Sequence, residues 1–123
     1  MIGYLAVFIG GGLGSMLRFG ISQLSFPFFQ NFPIQTLTAN VLASGLVSFL
    51  AVYFSAKQPG ESVVYWKLLL ATGFCGGFST FSTFSVETFN LLKNGQAITA
   101  FIYVISSVLI CLLACYLAWR LFR

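Results

Sequence analysis

The sequence predicts an all-α membrane protein built from four transmembrane helices. Hydrophobic residues fill 59% of its 123 positions, against only six basic and two acidic residues. The uncharged runs fall in four places: Met1 to Leu17, Pro33 to Ala56, Leu68 to Val86 and Asn94 to Trp119. A helix rising about 1.5 Å per residue needs roughly 20 apolar residues to cross a hydrocarbon core of about 30 Å, so four spans consume most of the chain. The connectors leave no room for a water-soluble domain. We therefore expect a single four-helix domain over residues 1–123, with helices near 2–24, 34–55, 65–92 and 96–122, in a multi-pass cell inner or plasma membrane protein.

Helix 1 opens without a Lys or Arg ahead of its apolar run and lacks a clear small-residue cleavage site, so it reads as a mature span rather than a secretory signal. Within GGGLGSMLRFG, Gly11, Gly12 and Ser15 recur at three-to-four spacing, which lets a neighbouring backbone come close. Arg18 has two readings: a snorkelling anchor, or a charge that faces protein or a water-filled cavity. SFPFFQNFP, residues 25–33, reads as an uncharged interfacial bend, with Pro33 suited to the start of helix 2.

Along helix 2, Asn40, Ser44 and Ser48 repeat every four residues and share a face. Such a stripe either joins helices by hydrogen bonds or lines a polar path. Asn40 stands out because its amide is costly to leave unpaired in hydrocarbon. KQPGES, residues 57–62, is a turn by its Pro-Gly pair and its charges.

Helix 3 carries GFCGGFSTFSTFSVETFN, residues 73–90, where glycines and hydroxyls interrupt the aliphatic pattern near mid-membrane. Gly73, Gly76, Gly77 and Ser79 admit two readings. They break the helix, which is tolerated there only where the backbone is buried or lines a cavity, or they give close helix packing. Phe78, Phe81 and Phe84 recur every third residue, with Ser82 and Thr83 between the last two. The stripe is either ordinary core or a set of ring edges whose positive rims meet an anion while nearby hydroxyl and amide donors replace its hydration. Glu87 is the one acidic residue within reach of a span, and an interfacial place suits it equally. Helix 4 has one polar patch, Tyr103, Ser106 and Ser107, with Tyr103 and Ser107 on one face, and ends in the anchor Trp119, Arg120 and Arg123.

The six basic residues are spread singly, which suits interfacial anchors and not a nucleic-acid surface. With the N-terminus inside, Lys57, Lys67, Arg120 and Arg123 share one face against Arg18 and Lys93, a weak orientation bias that leaves both insertions open. Cys75, Cys111 and Cys115 have no CxxC spacing and no histidine partner, so they read as small packing residues rather than as disulfide or metal ligands. No nucleophile–base pair and no paired carboxylates occur, so enzymatic chemistry has no support. A proton-coupled drug exporter of similar size would need a carboxylate in its first span, and helix 1 has none. A purely structural subunit of a larger membrane complex is the remaining alternative.

Three stretches, GGGLGSMLRF, TLTANVLASG and above all GFCGGFSTFSTF, resemble the small four-helix fluoride channels of the CrcB (Fluc) family, and the likeness covers essentially the whole chain. The resemblance implies an antiparallel, dual-topology homodimer whose third helix is broken near mid-membrane. It also implies two fluoride pathways at the dimer interface and a central structural sodium ion (Na+). By motif position it places the backbone carbonyls of Gly76 and Ser79 on that sodium, and Asn40, Phe81, Ser82, Thr83, Phe84, Tyr103 and Ser107 along the fluoride pathway. Arg18 matches a vestibule arginine. Ser79 stands where many members have threonine, and Phe78 where an aliphatic residue is common. Its expected activity is passive, selective export of fluoride from the cytoplasm.

Overall fold

A computed structural model describes residues 1–24 and 31–123. Most of the expected bend before helix 2 thus lies outside the described residues. Four helices, α1 (Ile2–Ser22), α2 (Ile34–Ser55), α3 (Glu61–Lys93) and α4 (Ala97–Phe122), are each long and apolar enough to cross a membrane. The third starts four residues earlier than its hydropathy suggests, because Glu61 and the residues after Gly60 already wind as helix. Pro33 precedes α2 instead of opening it.

Helix α3 is broken, as its composition allowed, but the break is not at the glycines. Residues 61–78 form the first half and Phe81–Lys93 the second, with Ser79 (φ −75°, ψ 158°) and Thr80 (φ −152°, ψ 119°) extended between them. Gly76 and Gly77 lie within the last helical turn of the first half.

The glycines serve packing instead. A Cβ on Gly10 would strike the Leu69 carbonyl, one on Gly14 the Phe74 carbonyl, and one on Gly77 the Gly11 carbonyl. At Gly73 the Cβ would sit 2.9 Å from the Val7 carbonyl oxygen. Backbone thus rests on backbone along α1 and the first half of α3, as small residues permit in a membrane where van der Waals contact, not water exclusion, joins helices. Leu68–Cys75, which includes Leu69, Gly73 and Phe74 of this contact, is wound as a π-helix. Nothing in the composition announced that widening.

Helix α2 is the central post. Ala39 and Ala43 pack with Phe78 and Phe74 of α3 and Ile21 of α1; Leu50 and Phe54 pack with Cys75, Leu70 and Val63. Leu37 joins Leu91, Ala100 and the fully buried Tyr103. Helix α4 is held to α2 by a reciprocal pair: Ser48 Oγ donates to the Cys115 carbonyl at 2.8 Å, and Cys115 Sγ donates to the Ser44 carbonyl at 3.3 Å. Ser48 therefore joins helices, the first of the two readings for its stripe.

Phe122 meets Phe49 edge-on at 4.5 Å, and Val63 packs by Phe54, so the α2 and α4 C-termini and the α3 N-terminus share one end. There Lys57 stacks on Tyr53 and Arg123 on Trp119, the aromatic and basic belt of a membrane interface.

Candidate functional site

A broken helix leaves peptide groups without their i→i−4 partners, and in a membrane interior each must be satisfied by protein or by a ligand. The Thr80 N–H, which a continuous helix would give to Gly76, instead donates to Asn40 Oδ1 at 2.7 Å. Asn40 Nδ2 donates in return to the Thr80 carbonyl at 3.1 Å. One amide side chain from α2 thus holds both backbone groups of Thr80, which belong to successive peptide units, and this is the local reason the break stands opposite Asn40. The Thr83 N–H donates to Thr80 Oγ1 at 3.2 Å, an N-cap for the second half of α3. Thr80 Oγ1 also donates to Thr83 Oγ1 at 3.0 Å and lies 3.3 Å from Ser82 Oγ.

From α1, Ser15 Oγ and Arg18 Nε donate to the Gly77 carbonyl at 3.4 and 3.2 Å. Arg18 is therefore turned into the protein and not toward the headgroups. By the same count, Gly76 and Ser79 carbonyls lose their helical donors, Thr80 N–H and Thr83 N–H, to side chains. Gly76 is exposed, and a Cβ built on it meets nothing within 4 Å. Both carbonyls thus lack a helical donor, Gly76 at an exposed position and Ser79 at a half-buried one within the cleft.

Most of the sequence-predicted residues divide between two cavities that share Thr80, while Gly76, Ser82 and Tyr103 line neither. A cleft of about 280 Å³ is lined by Asn40, Ser44, Ser79, Phe81, Phe84 and Ser107, among others. A second, of about 250 Å³, is lined by Arg18 and Thr83 together with Ser15, Ser22, Gln35 and Thr36. Phe81 is 80% exposed and lies 5.8 Å from Phe84, centroid to centroid; Phe84 lies 5.1 Å from Tyr103, which in turn meets Phe32 edge-on. The phenylalanine stripe is thus not core at Phe81, whereas Phe78, 3% exposed, is core. Ser107 Oγ is buried and finds no hydrogen-bond partner among the described residues.

Tyr103 does not open into either cavity. Its hydroxyl donates to Glu87 Oε2 at 2.7 Å, while Thr36 Oγ1 donates to Glu87 Oε1 at 2.8 Å. Glu87 is thereby drawn inward and joins α2, the second half of α3 and α4. Sequence reading left Glu87 unassigned and missed Thr36 and Thr80. A threonine three residues before another hydroxyl, just ahead of a helical run, is an N-cap signal that identifies Thr80. Thr36 carries no local signal, because its partner lies 51 residues away.

Comparison with known proteins bears on this arrangement. A chain named fluoride-specific ion channel FluC from Pyrococcus abyssi is 41% identical over 121 residues, covering 97% of this chain and 94% of its own length. One of the same name from Pyrococcus horikoshii is 42% identical over 116 residues, covering 94% and 91%. A third, from Proteus mirabilis, is 48% identical over 92 residues, covering 75% and 73%. The sequence model of the CrcB-like protein family, also described as Camphor Resistance (CrcB), matches residues 5–119. With a glycine-packed α1, a third helix broken beside Asn40 and relatives aligned along nearly its full length, the chain belongs to the CrcB-like family.

Proposed function

We propose that this protein is a passive, fluoride-selective channel that exports fluoride across the cell inner or plasma membrane. The observation that carries the reading is the cleft beside the α3 break, lined by Ser107, Phe81 and Phe84, where Ser107 Oγ is buried and has no hydrogen-bond partner among the described residues. A hydroxyl buried without a partner forfeits hydration free energy of about 1–3 kcal/mol, which an anion accepting a hydrogen bond from it restores. The ring edges add positive rims, and the cleft lining contains no Lys or Arg to trap the ion. The relatives' printed name supports fluoride as the ion.

The working unit in this reading is an antiparallel, dual-topology homodimer. Its support is the surface left open at the break, Phe81 and Gly76 above all, where polar oxygens and a large ring lie bare on one chain. Pairing two such faces would bring two Gly76 and two Ser79 carbonyls from opposed subunits to one centre. A structural sodium ion suits those four neutral oxygens, and its charge would offset their crowded partial negative charges. Asn40 and Thr80 keep the carbonyls free by taking up the competing N–H groups; Arg18 and Ser15 hold the neighbouring Gly77 carbonyl. Thr80, which lines both cavities and is hydrogen-bonded to Thr83 and within 3.3 Å of Ser82, would link the cleft to the Arg18 and Thr83 side, with the Tyr103–Glu87 pair packed behind Phe84.

Purified protein in liposomes, read with a fluoride electrode, tests this. Efflux of fluoride without chloride is expected. Absence of fluoride efflux, or an equal chloride leak, would sink the reading.

A further inference from the structure

We propose that the groove between the N-terminal turns of α1 and α3 binds an anionic phospholipid, with one acyl chain lying against Gly3, Tyr4, Val7 and Phe8 and the phosphate meeting the ammonium of Lys67. The groove holds about 540 Å³, against about 280 and 250 Å³ for the two cavities at the break, and Met1 and Leu68 complete its lining.

Its cause lies in the helix packing. From Val7 onward α1 rests backbone on backbone against α3, through Gly10, Gly73, Gly14 and Gly77. One turn earlier, a Cβ on Gly3 would meet only a side-chain atom, Leu68 Cδ1 at 3.2 Å, so the two backbones part there and leave a wedge. Met1 to Phe8 covers about 10 Å of helix axis, roughly a third of a membrane-spanning helix. The wedge is therefore long enough for the first stretch of an acyl chain and too short to seat a spanning helix.

Charge points to the headgroup. Gly3 meets Leu68, so the wedge opens at the same end as the aromatic and basic belt. There Lys57 stacks on Tyr53, Arg123 stacks on Trp119, and Arg120 donates to the Tyr116 hydroxyl. Lys67, next in the chain to Leu68 of the groove, is exposed and makes no hydrogen bond or ion pair among the described residues. Glu61 lies six residues before it, outside the three-to-four spacing at which helical charges pair, in a first turn that the helix dipole already favours. The opposite end of the chain carries Lys93, with Glu87 turned inward onto Tyr103 and Thr36, so an antiparallel copy would bring no carboxylate to Lys67. A lipid phosphate is the counter-charge at hand in a bilayer surface, and the exposed rings of Tyr4 and Trp66 suit headgroup depth.

The test is native mass spectrometry of the full chain, released from detergent after incubation with equimolar phosphatidylglycerol and phosphatidylcholine of identical acyl chains. Wild type should retain phosphatidylglycerol over phosphatidylcholine by about fivefold, the factor one lysine contributes beside an anionic surface. Lys67→Gln should erase the preference, whereas Lys57→Gln, whose ammonium already stacks on Tyr53, should keep it. Gly3→Leu fills the wedge and should lower retention of both lipids. Phosphatidylglycerol with a diazirine in its acyl chain reports the place: its adducts should concentrate on Met1 to Phe8 and Leu68. The proposal is overturned if Lys67→Gln keeps the preference or if the adducts spread evenly over the exposed apolar faces of α1 and α4. It is overturned equally if Gly3→Leu leaves lipid retention unchanged and dissociates the assembly, which would assign the wedge to a second copy. Lys67 is exposed, so its variant and the wild-type adduct map decide the matter even where Gly3→Leu does not fold. Lipid retention is read without ion flux, so its outcome is separate from that of the channel reading.

Discussion

Replacing Asn40 by alanine should destabilise the folded protein by roughly 2–4 kcal/mol, before any effect on ion flow. The magnitude follows from what the amide holds. Its Oδ1 accepts from the Thr80 N–H at 2.7 Å and its Nδ2 donates to the Thr80 carbonyl at 3.1 Å. Truncation strands both peptide groups, each worth about 1–3 kcal/mol when buried without a partner. Asn40 lines a cleft, so water entering from it would recover part of that cost, which puts the sum below its upper bound. A loss of about 3 kcal/mol lowers the folded-to-unfolded ratio by more than a hundredfold. Equilibrium unfolding in mixed detergent micelles, run beside liposome efflux, measures both quantities. Asn40→Asp keeps an acceptor for the Thr80 N–H and gives up the donor, so it should fall between wild type and alanine. If Asn40→Ala unfolds within about 0.5 kcal/mol of wild type while losing all flux, the amide serves the ion and does not hold the break.

Neighbouring glycines should separate by role: Gly77→Ala, whose Cβ strikes the Gly11 carbonyl, should cost at least about 1–3 kcal/mol in the same unfolding assay. Gly76→Ala, with open space around its Cβ, should leave subunit stability unchanged and, on the proposed homodimer, shift it toward monomer by light scattering in detergent. Thr80→Val removes the cap on Thr83 N–H and should destabilise by about 0.5–2 kcal/mol, with Thr80→Ser restoring most of it. Tyr103→Phe leaves one oxygen of the half-buried Glu87 without its donor, at a cost of about 1–3 kcal/mol by unfolding, and Thr36→Val should cost a similar amount through the other oxygen.

The spans were legible in the sequence because hydropathy is a sum over some 20 residues, and local errors average out. A break in α3 was legible too, but its place only in part: Ser79, one of the four candidate positions, lies in it, whereas glycine marks both weak helix and close packing, and the chain uses Gly73 and Gly77 for packing. What stops the helix is a pair of hydrogen bonds to a residue 40 positions earlier, and no local window contains that. The same limit hid Thr36 and Glu87, whose meaning lies in a triad drawn from three helices. Motif likeness picked out Asn40, Phe81, Phe84 and Ser107, which the fold does bring to one cleft, yet it also included Thr83, which lines the cavity on the other side of Thr80 with Arg18.

The inward turn of Arg18 sharpens one tension in the dimer reading. With its guanidinium on the Gly77 carbonyl, the basic side chains left at the surface are Lys57, Lys67, Arg120 and Arg123 at one end and Lys93 at the other. Such asymmetry favours insertion with the more basic end in the cytoplasm, whereas an antiparallel pair needs both orientations in equal number. What answers the bias in this reading is the cost of staying single: an unpaired chain leaves two carbonyls of the break without donors near the bilayer middle, each a matter of several kcal/mol. Pairing relieves that cost only for the minority orientation and an equal number of the majority. On the proposed homodimer, the orientation bias would therefore set how many channels form, while the face at the break would set that those formed are antiparallel.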